Sequence, residues 1–445
     1  MKIHFHLLLA LLLPWTAQGA DTKVANPSNY RKVVSSLKAG DTLQLEAGIY
    51  TTGLPLTDCN GRADAWITIE GPVAGKAEIR QSAEANCVEL RQCSYVALKR
   101  LKIQGGGPVG IPGLFGISAK GGVANTVHHI LIEDCIISDW NTSQQAVGIS
   151  TKTPTWGWTI RRNQIINCGT GLYLGNSNGN DPFIHGVIEN NLVQNPIGYC
   201  MEIKFQNRRP TLDLMPTTPG STIIRHNRFI KSDAVSPDGD RPNVLVGGFP
   251  ETGPGSTDWY EIYGNFFLHN PRESLLHASG RVTIHDNVFA DCPSAEYAAI
   301  TLRDHDLPLK LAHVYNNTIT AAARGIRVAK APTEAHAIIG NVVFAAEPLA
   351  LQSSITQVAA NITGPISDAT EHLTQPDITA KDMNFQPKSG HCEGEPLDLT
   401  SFATQTAYDV DLNGIPKGEN RYRGAYAGPS STPARPPQPG IEPQP

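Results

Sequence analysis

The sequence is poor in charge, has no long hydrophobic run and contains no CxxC pair. Charged residues make up 17% of the chain and the formal net charge is −5, whereas a general nucleic-acid-binding protein carries a basic excess. The apolar run Leu7–Leu13 is shorter than the about 20 residues that a membrane-spanning helix needs. Phosphate-binding loops and Ser-His-Asp spacing are also absent. We therefore expect no nucleic-acid partner, no membrane insertion and no zinc or redox motif of the CxxC type.

Residues 1–20 are typical of a cleavable signal peptide. Lys2 supplies the positive start, the apolar run follows, and Ala17-Gln18-Gly19 supplies small residues before a cleavage site, with a cut after Ala20 as the alternative. We therefore expect a secreted protein, periplasmic or extracellular. The eight cysteines all follow this segment, so disulfides are permitted there. The alternative is packing of free thiols inside the fold, which we favour for Cys135 and Cys168.

What the sequence does contain is a loose internal repeat. Each copy has an aliphatic residue, two variable residues, an Asn, one variable residue and an aliphatic or aromatic residue. The repeat places this Asn at seven positions: Asn163, Asn190, Asn227, Asn265, Asn287, Asn317 and Asn341. Two earlier copies carry Leu101 and Cys135 instead. Successive positions lie 22 to 38 residues apart, so the longer repeats must hold loops beyond the coil that the shortest repeat can form.

The repeated segments predict strands. Their apolar residues recur with a period of two, and Gly, Pro, Asn and Asp separate them. An Asn amide at a sharp turn between parallel strands can satisfy unpaired backbone groups and can bond the Asn of the neighbouring coil. The sequence therefore predicts an all-β fold, a right-handed parallel β-helix of about ten or eleven coils with an Asn ladder.

The predicted β-helix occupies residues 21–350. Residues 351–428 are predicted to form C-terminal coils and a cover segment for the last coil, because a solenoid must protect its end. Residues 429–445 are rich in proline and predict a disordered tail. Nothing in the sequence predicts a second copy, so we expect a monomer.

Several segments resemble known secreted β-helices. Lys38–Tyr50 with Trp66–Gly71 resembles the start of chondroitinase-B-like and alginate-lyase-like β-helices of the pectin-lyase-like superfamily. Asp411–Pro416 with Arg423–Tyr426 is similar to the end of many bacterial β-helix repeat proteins. The middle of the chain resembles a proteobacterial group of such proteins, and the likeness covers most of residues 35–345. This resemblance implies the fold and leaves the activity open.

Strand alternation predicts which side chains face outward between Tyr199 and Gln206. The outward set is Cys200, Glu202, Lys204 and Gln206, with Tyr199, Met201, Ile203 and Phe205 inward. A 27-residue register puts Lys152 and Gly175 in the same row as Glu202. We expect Lys152 and Gln206 to contact substrate on this face.

The lyase-like β-helices imply roles for three of these residues. In that family an outward Lys and an Arg remove the C5 proton of a uronate, and acidic residues hold Ca²⁺. By resemblance, Lys204 would be the base, Arg241 the neutraliser or acid, and Glu202 a calcium ligand. The chain departs from the family pattern because Glu202 has no second Glu in Glu-x-Glu spacing. A solvated Lys–Glu pair is the alternative.

A second motif, Arg303-Asp-His305-Asp306, resembles the Asp-Pro-His-Asp motif of β-helix alginate C5-epimerases, in which the His is a base. Asp304 stands where that motif has Pro. By this resemblance His305 is a candidate base and Arg303 a substrate contact. The alternative is a loop His hydrogen-bonded to Asp304 or Asp306.

Two tryptophans, Trp156 and Trp259, lie in Pro- and Gly-rich loop sequence, and we expect both to be exposed for stacking on sugar rings. We expect the long inserts Arg208–Ser221 and Ser232–Tyr260 to wall the groove. The Asp pairs and Gly-His-Gly motif of galacturonases are absent. The sequence thus favours a lyase-like enzyme acting on an anionic, uronate-containing polysaccharide. Alternatives are a C5-epimerase, a non-catalytic glycan-binding protein and a structural rod.

Overall fold

Each coil of the chain contributes three short strands, and the strands of successive coils stack into three parallel sheets. The computed structural model describes residues 20–82, 85–111 and 113–430. The predicted signal peptide therefore lies outside the described residues except for Ala20, and so does the predicted tail from residue 431 onward. Within the described residues, no helix is long and apolar enough to cross a membrane.

The first sheet follows one path of strands along the whole helix: Thr22–Ala25, Thr42–Leu45, Ile67–Glu70, Ser94–Lys99, Val127–Glu133, Thr159–Arg161, Val187–Glu189, Ser221–Arg225, Trp259–Tyr263, Arg281–His285, Leu311–Tyr315, Ala335–Ile339 and Val358–Ala359. Two short strands extend it sideways: Thr155–Trp156 and Phe183–Ile184. The second sheet contains Gly48–Tyr50, Ala77–Arg80, Leu101–Gln104, Ile136–Trp140, Gln164–Cys168, Leu192–Gln194, Arg228–Ile230, Phe266–Leu268, Val288–Cys292, Thr318–Ala321, Val342–Phe344 and Ile362–Gly364.

The third sheet contains Leu54–Thr57, Val88–Arg91, Ile117–Lys120, Val147–Lys152, Thr170–Leu174, Met201–Ile203, Val244–Val246, Leu276–Ala278, Ala298–Leu302, Arg324–Val328 and Glu347–Leu351. A separate antiparallel pair is formed by Leu373–Gln375 and Asn384–Pro387. The helices are short: the α-helices Tyr30–Val34 and Ala369–His372, and the 3₁₀ turns Gly107–Val109, Gly122–Ala124, Ile366–Asp368 and Thr400–Phe402. The third sheet has eleven strands among the described residues, in agreement with the predicted coil number.

The Asn ladder lies at the turn between the first and second sheets. It runs through Asn163, Asn191, Asn227, Asn265, Asn287, Asn317, Asn341 and Asn361. In each step the side-chain Nδ2 and the backbone amide of one Asn both donate to the Oδ1 of the Asn in the next coil. The ladder is therefore confirmed, and it continues one coil beyond the predicted last member.

The prediction of Asn190 as a ladder member is wrong by one position, because Asn191 occupies that place. Ile160 pairs with Ile188, so the third residue after each is Asn163 or Asn191. Asn190 instead occupies the left-handed backbone region, with φ of 56°. The repeat motif fits both positions because Val187 and Ile188 are both aliphatic, but only Ile188 points into the core.

Aliphatic and aromatic side chains fill the interior of the helix. Phe229, Phe267 and Phe289 stack on successive coils, with the last two rings 4.5 Å apart. All eight cysteines are buried free thiols, and Cys135 and Cys168 lie in this core as predicted. Burial raises the pKa of both thiols to about 12, so they remain protonated and unreactive at neutral pH.

The chain after the last coil packs along the side of the helix. The Phe402 ring stacks on Tyr315 at 4.4 Å, and the Gly424 amide donates to the Gly340 carbonyl. Lys417 forms a buried ion pair with Asp286 at 2.6 Å. These contacts place the C-terminal segment over the outer surface of the first and second sheets.

Candidate functional site

The third sheet ends in a row of small and cationic residues. The strand register pairs Lys120 with Lys152, Thr151 with Leu174, and Leu174 with Ile203. Lys120 and Lys152 are the first two members of one row, and each later member directly follows a paired residue of its strand. The row is Lys120, Lys152, Gly175, Lys204, Gly247, Ser279 and Arg303. The row therefore has cations on four of seven coils and small residues between them.

The predicted placement of Glu202 in one row with Lys152 and Gly175 is wrong. Glu202 pairs with Tyr173, and it is Lys204 that shares a row with Lys152 and Gly175. Leu172 pairs with Met201, a spacing of 29 residues, whereas the first sheet repeats by 28 at Ile160. One additional residue in the turn before the third sheet accounts for this difference.

Lys204 and Glu202 form an ion pair in the floor of this region. Lys204 Nζ lies 2.8 Å from Glu202 Oε1, and their side chains are 13% and 4% exposed. Gly175 makes room for this lysine, since a Cβ at Gly175 would lie 3.3 Å from the Lys204 Cβ. The opposite charges of the two side chains therefore offset each other in this partly buried place.

Two tyrosines that the sequence prediction missed complete the surface. Tyr173 lies between the lysines, with Lys152 Nζ and Lys204 Nζ at 5.2 and 5.9 Å from its ring centroid. The Arg241 guanidinium lies 5.7 Å from the Tyr199 ring centroid. Burial, followed by the charge of Glu202, raises the pKa of both phenols. Alternation in Gly171-Leu-Tyr-Leu174 was the signal for Tyr173, because Leu172 and Leu174 point inward.

Arg241 and Lys152 bring positive charge without a carboxylate partner. Arg241 donates to the backbone carbonyls of Asp238 and Asp240, each at 2.9 Å. Among the described residues, neither Arg241 nor Lys152 has a carboxylate within 4 Å. Burial, with a further contribution from Lys120, lowers the pKa of Lys152, as expected for a cation without a counter-ion.

These side chains surround one cleft of about 250 Å³. The cleft is lined by Gln144, Gln145, Val147, Lys152, Thr170, Tyr173, Ser177, Tyr199, Glu202, Lys204 and Arg241. Four residues predicted from the sequence are thus brought together: Lys152, Glu202, Lys204 and Arg241. The Ser236 hydroxyl donates to Gln144 Oε1, so the start of the Ser232–Tyr260 insert walls the cleft. With three cations and one carboxylate, the cleft attracts anions.

His305 reaches this region from a later coil. The loop after Ala298–Leu302 folds back over Gly248, where a Cβ would lie 2.5 Å from the Leu307 Cβ. The His305 amide donates to Ser279 Oγ at 3.2 Å, and the charges of Lys204 and Glu202 both act on its ring. Burial lowers the pKa of His305 although Asp306, 3.0 Å away, opposes this.

Arg303 is held by a buried histidine on the same sheet. Its Nε donates to His277 Nε2 at 3.1 Å, and the His277 and His305 rings lie 5.3 Å apart. Burial, then the charge of Arg303, lowers the pKa of His277 to about 3. His277 is therefore neutral and accepts the Arg303 hydrogen bond, which keeps this exposed guanidinium on the third sheet.

Three predicted contacts lie elsewhere. Trp156 is 1% exposed, so the prediction of an exposed ring is wrong; Leu212 and Met215 of the insert Arg208–Ser221 cover it. Gln206 is buried and donates to the Phe183 carbonyl at 3.3 Å. Trp259 belongs to the first sheet and donates to Glu261 at 2.8 Å. Neither side chain faces the cleft.

The insert Arg208–Ser221 also differs from its predicted place. Arg209 forms a buried ion pair with Asp258, which His185 contacts at 3.2 Å. The insert therefore packs over the side strands of the first sheet and does not wall the cleft.

The donor set of the cleft does not fit Ca²⁺. Calcium takes six to eight oxygen ligands, usually with several carboxylates, and Glu202 is the one carboxylate among the described residues that line the cleft. Lys204 already binds this carboxylate, and two further cations face the same space. An anionic ligand suits this charge pattern better than a metal cation does.

Comparison with known proteins agrees with the architecture. The model of the right-handed β-helix region family matches residues 147–344. The A-module of a mannuronan C-5 epimerase from Azotobacter vinelandii is 16% identical, with 75% of this chain and 93% of that chain covered and a TM-score of 0.50. A pectate lyase is 13% identical over 94% and 91% of the two chains, with a TM-score of 0.46. An alginate lyase of the PL6 family is 11% identical over 93% and 59%, with a TM-score of 0.46.

No curated protein matches the chain by sequence, and at these identities the structural likeness concerns the fold alone. The family match, the three parallel sheets and the Asn ladder lead to one conclusion. The chain is a right-handed parallel β-helix protein.

Proposed function

We propose that this chain is a secreted enzyme that removes the C5 proton of a uronate in an anionic polysaccharide and cleaves the chain by β-elimination. The observation that supports it is the charge of the third-sheet cleft, where Lys152, Lys204 and Arg241 face one carboxylate, Glu202. Uronate-containing polysaccharides carry a carboxylate on the ring that reacts. Structurally similar proteins include a mannuronan C-5 epimerase and lyases of pectate and alginate.

Binding of the substrate carboxylate by these cations would also make the C5 proton easier to remove. The proton at C5 becomes acidic only when the charge of the neighbouring carboxylate is masked, because the carbanion electrons are delocalised onto that group. Lys152 and Arg241 have no carboxylate partner among the described residues, so they are free to supply this charge. Such preorganised positive charge is a strong contribution to transition-state stabilisation.

We assign the base to His305 and the acid to Lys204, which revises the role of Lys204 as base. Because burial lowers the pKa of His305, its imidazole is neutral at neutral pH and can accept a proton. Lys204, whose Nζ lies 2.8 Å from Glu202 Oε1, is the proton donor in this assignment.

The electron flow of this step balances. His305 takes the C5 proton, and the electrons of the C5–H bond form the new C4–C5 double bond as the C4–O bond breaks. Lys204 protonates the departing oxygen. If the proton were instead returned to the opposite face of C5, the same residues would catalyse epimerisation.

The decisive experiment is incubation of the purified protein with alginate, pectate and glycosaminoglycans in D₂O. We expect absorbance from new C4–C5 double bonds with at least one of these polymers. Lys204→Ala should lower the initial rate by about 100-fold or more, as for loss of a positioned acid or base. Lys76→Ala, an exposed lysine away from the third sheet, is the matched control and should leave the rate unchanged.

The other outcomes distinguish the alternatives. Deuterium at C5 without new absorbance would indicate an epimerase. Polysaccharide binding without exchange would indicate a glycan-binding protein, and a lack of binding to every polymer would contradict the proposal. Detection of the chain cleaved after residue 19 or 20 in the culture medium or periplasm tests secretion.

A further inference from the structure

A cluster of potential metal ligands lies outside the cleft, at the end of the last coil. Glu371 and His372 belong to the short helix Ala369–His372, and His391 follows the antiparallel strand Asn384–Pro387. One ligand atom from each of the three residues lies within 4.8 Å of the other two. The proposed enzymatic function uses none of them.

The two imidazoles have the geometry of metal ligands. Their Nδ1 atoms are 3.4 Å apart, and the ring planes are nearly perpendicular at 87°. Two nitrogens bound to a tetrahedral Zn²⁺ at about 2.0–2.1 Å are separated by about 3.3–3.4 Å. A hydrogen bond between two neutral imidazoles would use only one proton, whereas a metal ion would engage both lone pairs.

The backbone holds this arrangement in place. The Lys388 amide donates to the His372 carbonyl at 2.8 Å, and the His391 amide donates to the Lys388 carbonyl at 3.0 Å. Gly390, with φ of 77°, allows the chain to reverse between Lys388 and His391. The His372 ring also packs near Phe344 of the last coils, with centroids 5.2 Å apart.

We propose that Glu371, His372 and His391 bind one Zn²⁺ ion. Neutral imidazole nitrogens and a carboxylate are the ligand types that Zn²⁺ accepts, and three protein ligands leave a fourth position for water. Glu371 is exposed and the histidines are half-buried, so the ion can enter from solvent.

The ion would join the end of the coils to the C-terminal segment. His391 precedes Cys392, whose carbonyl accepts a hydrogen bond from the Arg423 amide at 2.8 Å. Zinc binding would therefore fasten the start of the segment that packs along the first and second sheets. The proposal is independent of the chemistry assigned to the cleft.

Titration of the chelator-treated full chain with ZnCl₂, followed by calorimetry, tests the proposal. We expect one ion per chain with micromolar or tighter affinity, and a rise in the thermal unfolding midpoint that EDTA reverses. Co²⁺ in place of Zn²⁺ should give visible absorption bands of a tetrahedral complex.

Substitutions locate the site. His372→Ala and His391→Ala should each abolish the Co²⁺ bands, and Glu371→Gln should weaken binding while both histidines remain. His336→Ala is the matched control, since His336 is also half-buried but accepts a hydrogen bond from the Thr356 amide. His391→Asn serves as a second variant if His391→Ala fails to fold. Zinc binding that is unchanged in both histidine variants, or no binding by the parent protein, would overturn the proposal.

Discussion

Replacement of Asn227 by Leu tests the ladder at its centre. Asn227 is fully buried, and its Nδ2 donates to the Ile188 carbonyl at 2.8 Å and to Asn265 Oδ1 at 3.0 Å. Its Oδ1 accepts from the Asn191 backbone amide at 3.0 Å and from Asn191 Nδ2 at 2.9 Å. Leucine has a similar size but can make none of these four hydrogen bonds.

The expected magnitude follows from which partners keep another hydrogen bond. Asn191 Nδ2 still donates to the Ile160 carbonyl, and Asn265 Oδ1 still accepts from the Asn227 backbone amide. The Asn191 backbone amide, in contrast, loses its acceptor, and the Ile188 carbonyl loses the Asn227 side-chain amide. One buried donor without a partner costs about 1–3 kcal/mol, so we expect the free energy of unfolding to fall by about that amount.

Urea unfolding followed by far-ultraviolet circular dichroism measures this change. Asn207→Leu is the control, because Asn207 is exposed and its side chain makes one hydrogen bond, to the Asn178 carbonyl. Exposed substitutions of this kind change stability by about 0.5 kcal/mol or less. If Asn227→Leu destabilises the protein no more than Asn207→Leu does, the energetic role of the ladder is refuted.

Two further predictions concern single residues. Burial raises the pKa of Glu273 from 4.5 to about 7. Between these two pH values the folded protein holds a proton that the unfolded chain releases. The free energy of unfolding should therefore fall by roughly 3 kcal/mol as the pH rises across this interval. Glu273→Gln should lose that pH dependence and be more stable than the parent at pH 8 but not at pH 4, which urea unfolding at the two pH values measures. Asn190→Gly should be neutral within about 0.5 kcal/mol, because glycine adopts the φ of 56° at this turn without strain; a loss as large as that of Asn227→Leu would contradict the corrected register.

The fold could be predicted because its information is local and repeated. Each ladder Asn sits at a fixed distance from the aliphatic residues on either side of its turn, so seven imperfect copies reinforce one another. The ambiguity between Asn190 and Asn191 shows the limit of prediction from the repeat. Two adjacent asparagines follow two adjacent aliphatic residues, and only the full burial of Ile188 against the partial burial of Val187 decides between them.

Alternation predicted the direction of side chains reliably only within a strand. Alternation correctly predicted that Met201 and Ile203 point inward, but the strand ends at Ile203. Beyond its ends the backbone no longer alternates, so Cys200 and Gln206 are buried and Tyr199 lines the cleft. A period-two pattern cannot signal where the extended backbone stops.

The burial of Trp156 depends on a segment distant in sequence. Leu212 and Met215 cover its ring, and the ion pair between Arg209 and Asp258 fixes their insert in place. No pattern near Trp156 contains this information, because a loop composition of Pro and Gly describes the backbone and not what packs above it.

The position of His305 over the third sheet has the same kind of origin, and the chemistry proposed for the cleft depends on it. His305 and Lys204 are about 100 positions apart in the chain, and the loop that carries His305 folds back where Gly248 lacks a side chain. A Cβ at Gly247 would lie 2.3 Å from the Phe205 backbone nitrogen. The small residues of the third-sheet row therefore position the functional groups as much as the charged ones do. A sequence motif records His305 and Lys204 separately, whereas the acid and base roles proposed for them depend on the space that these glycines leave.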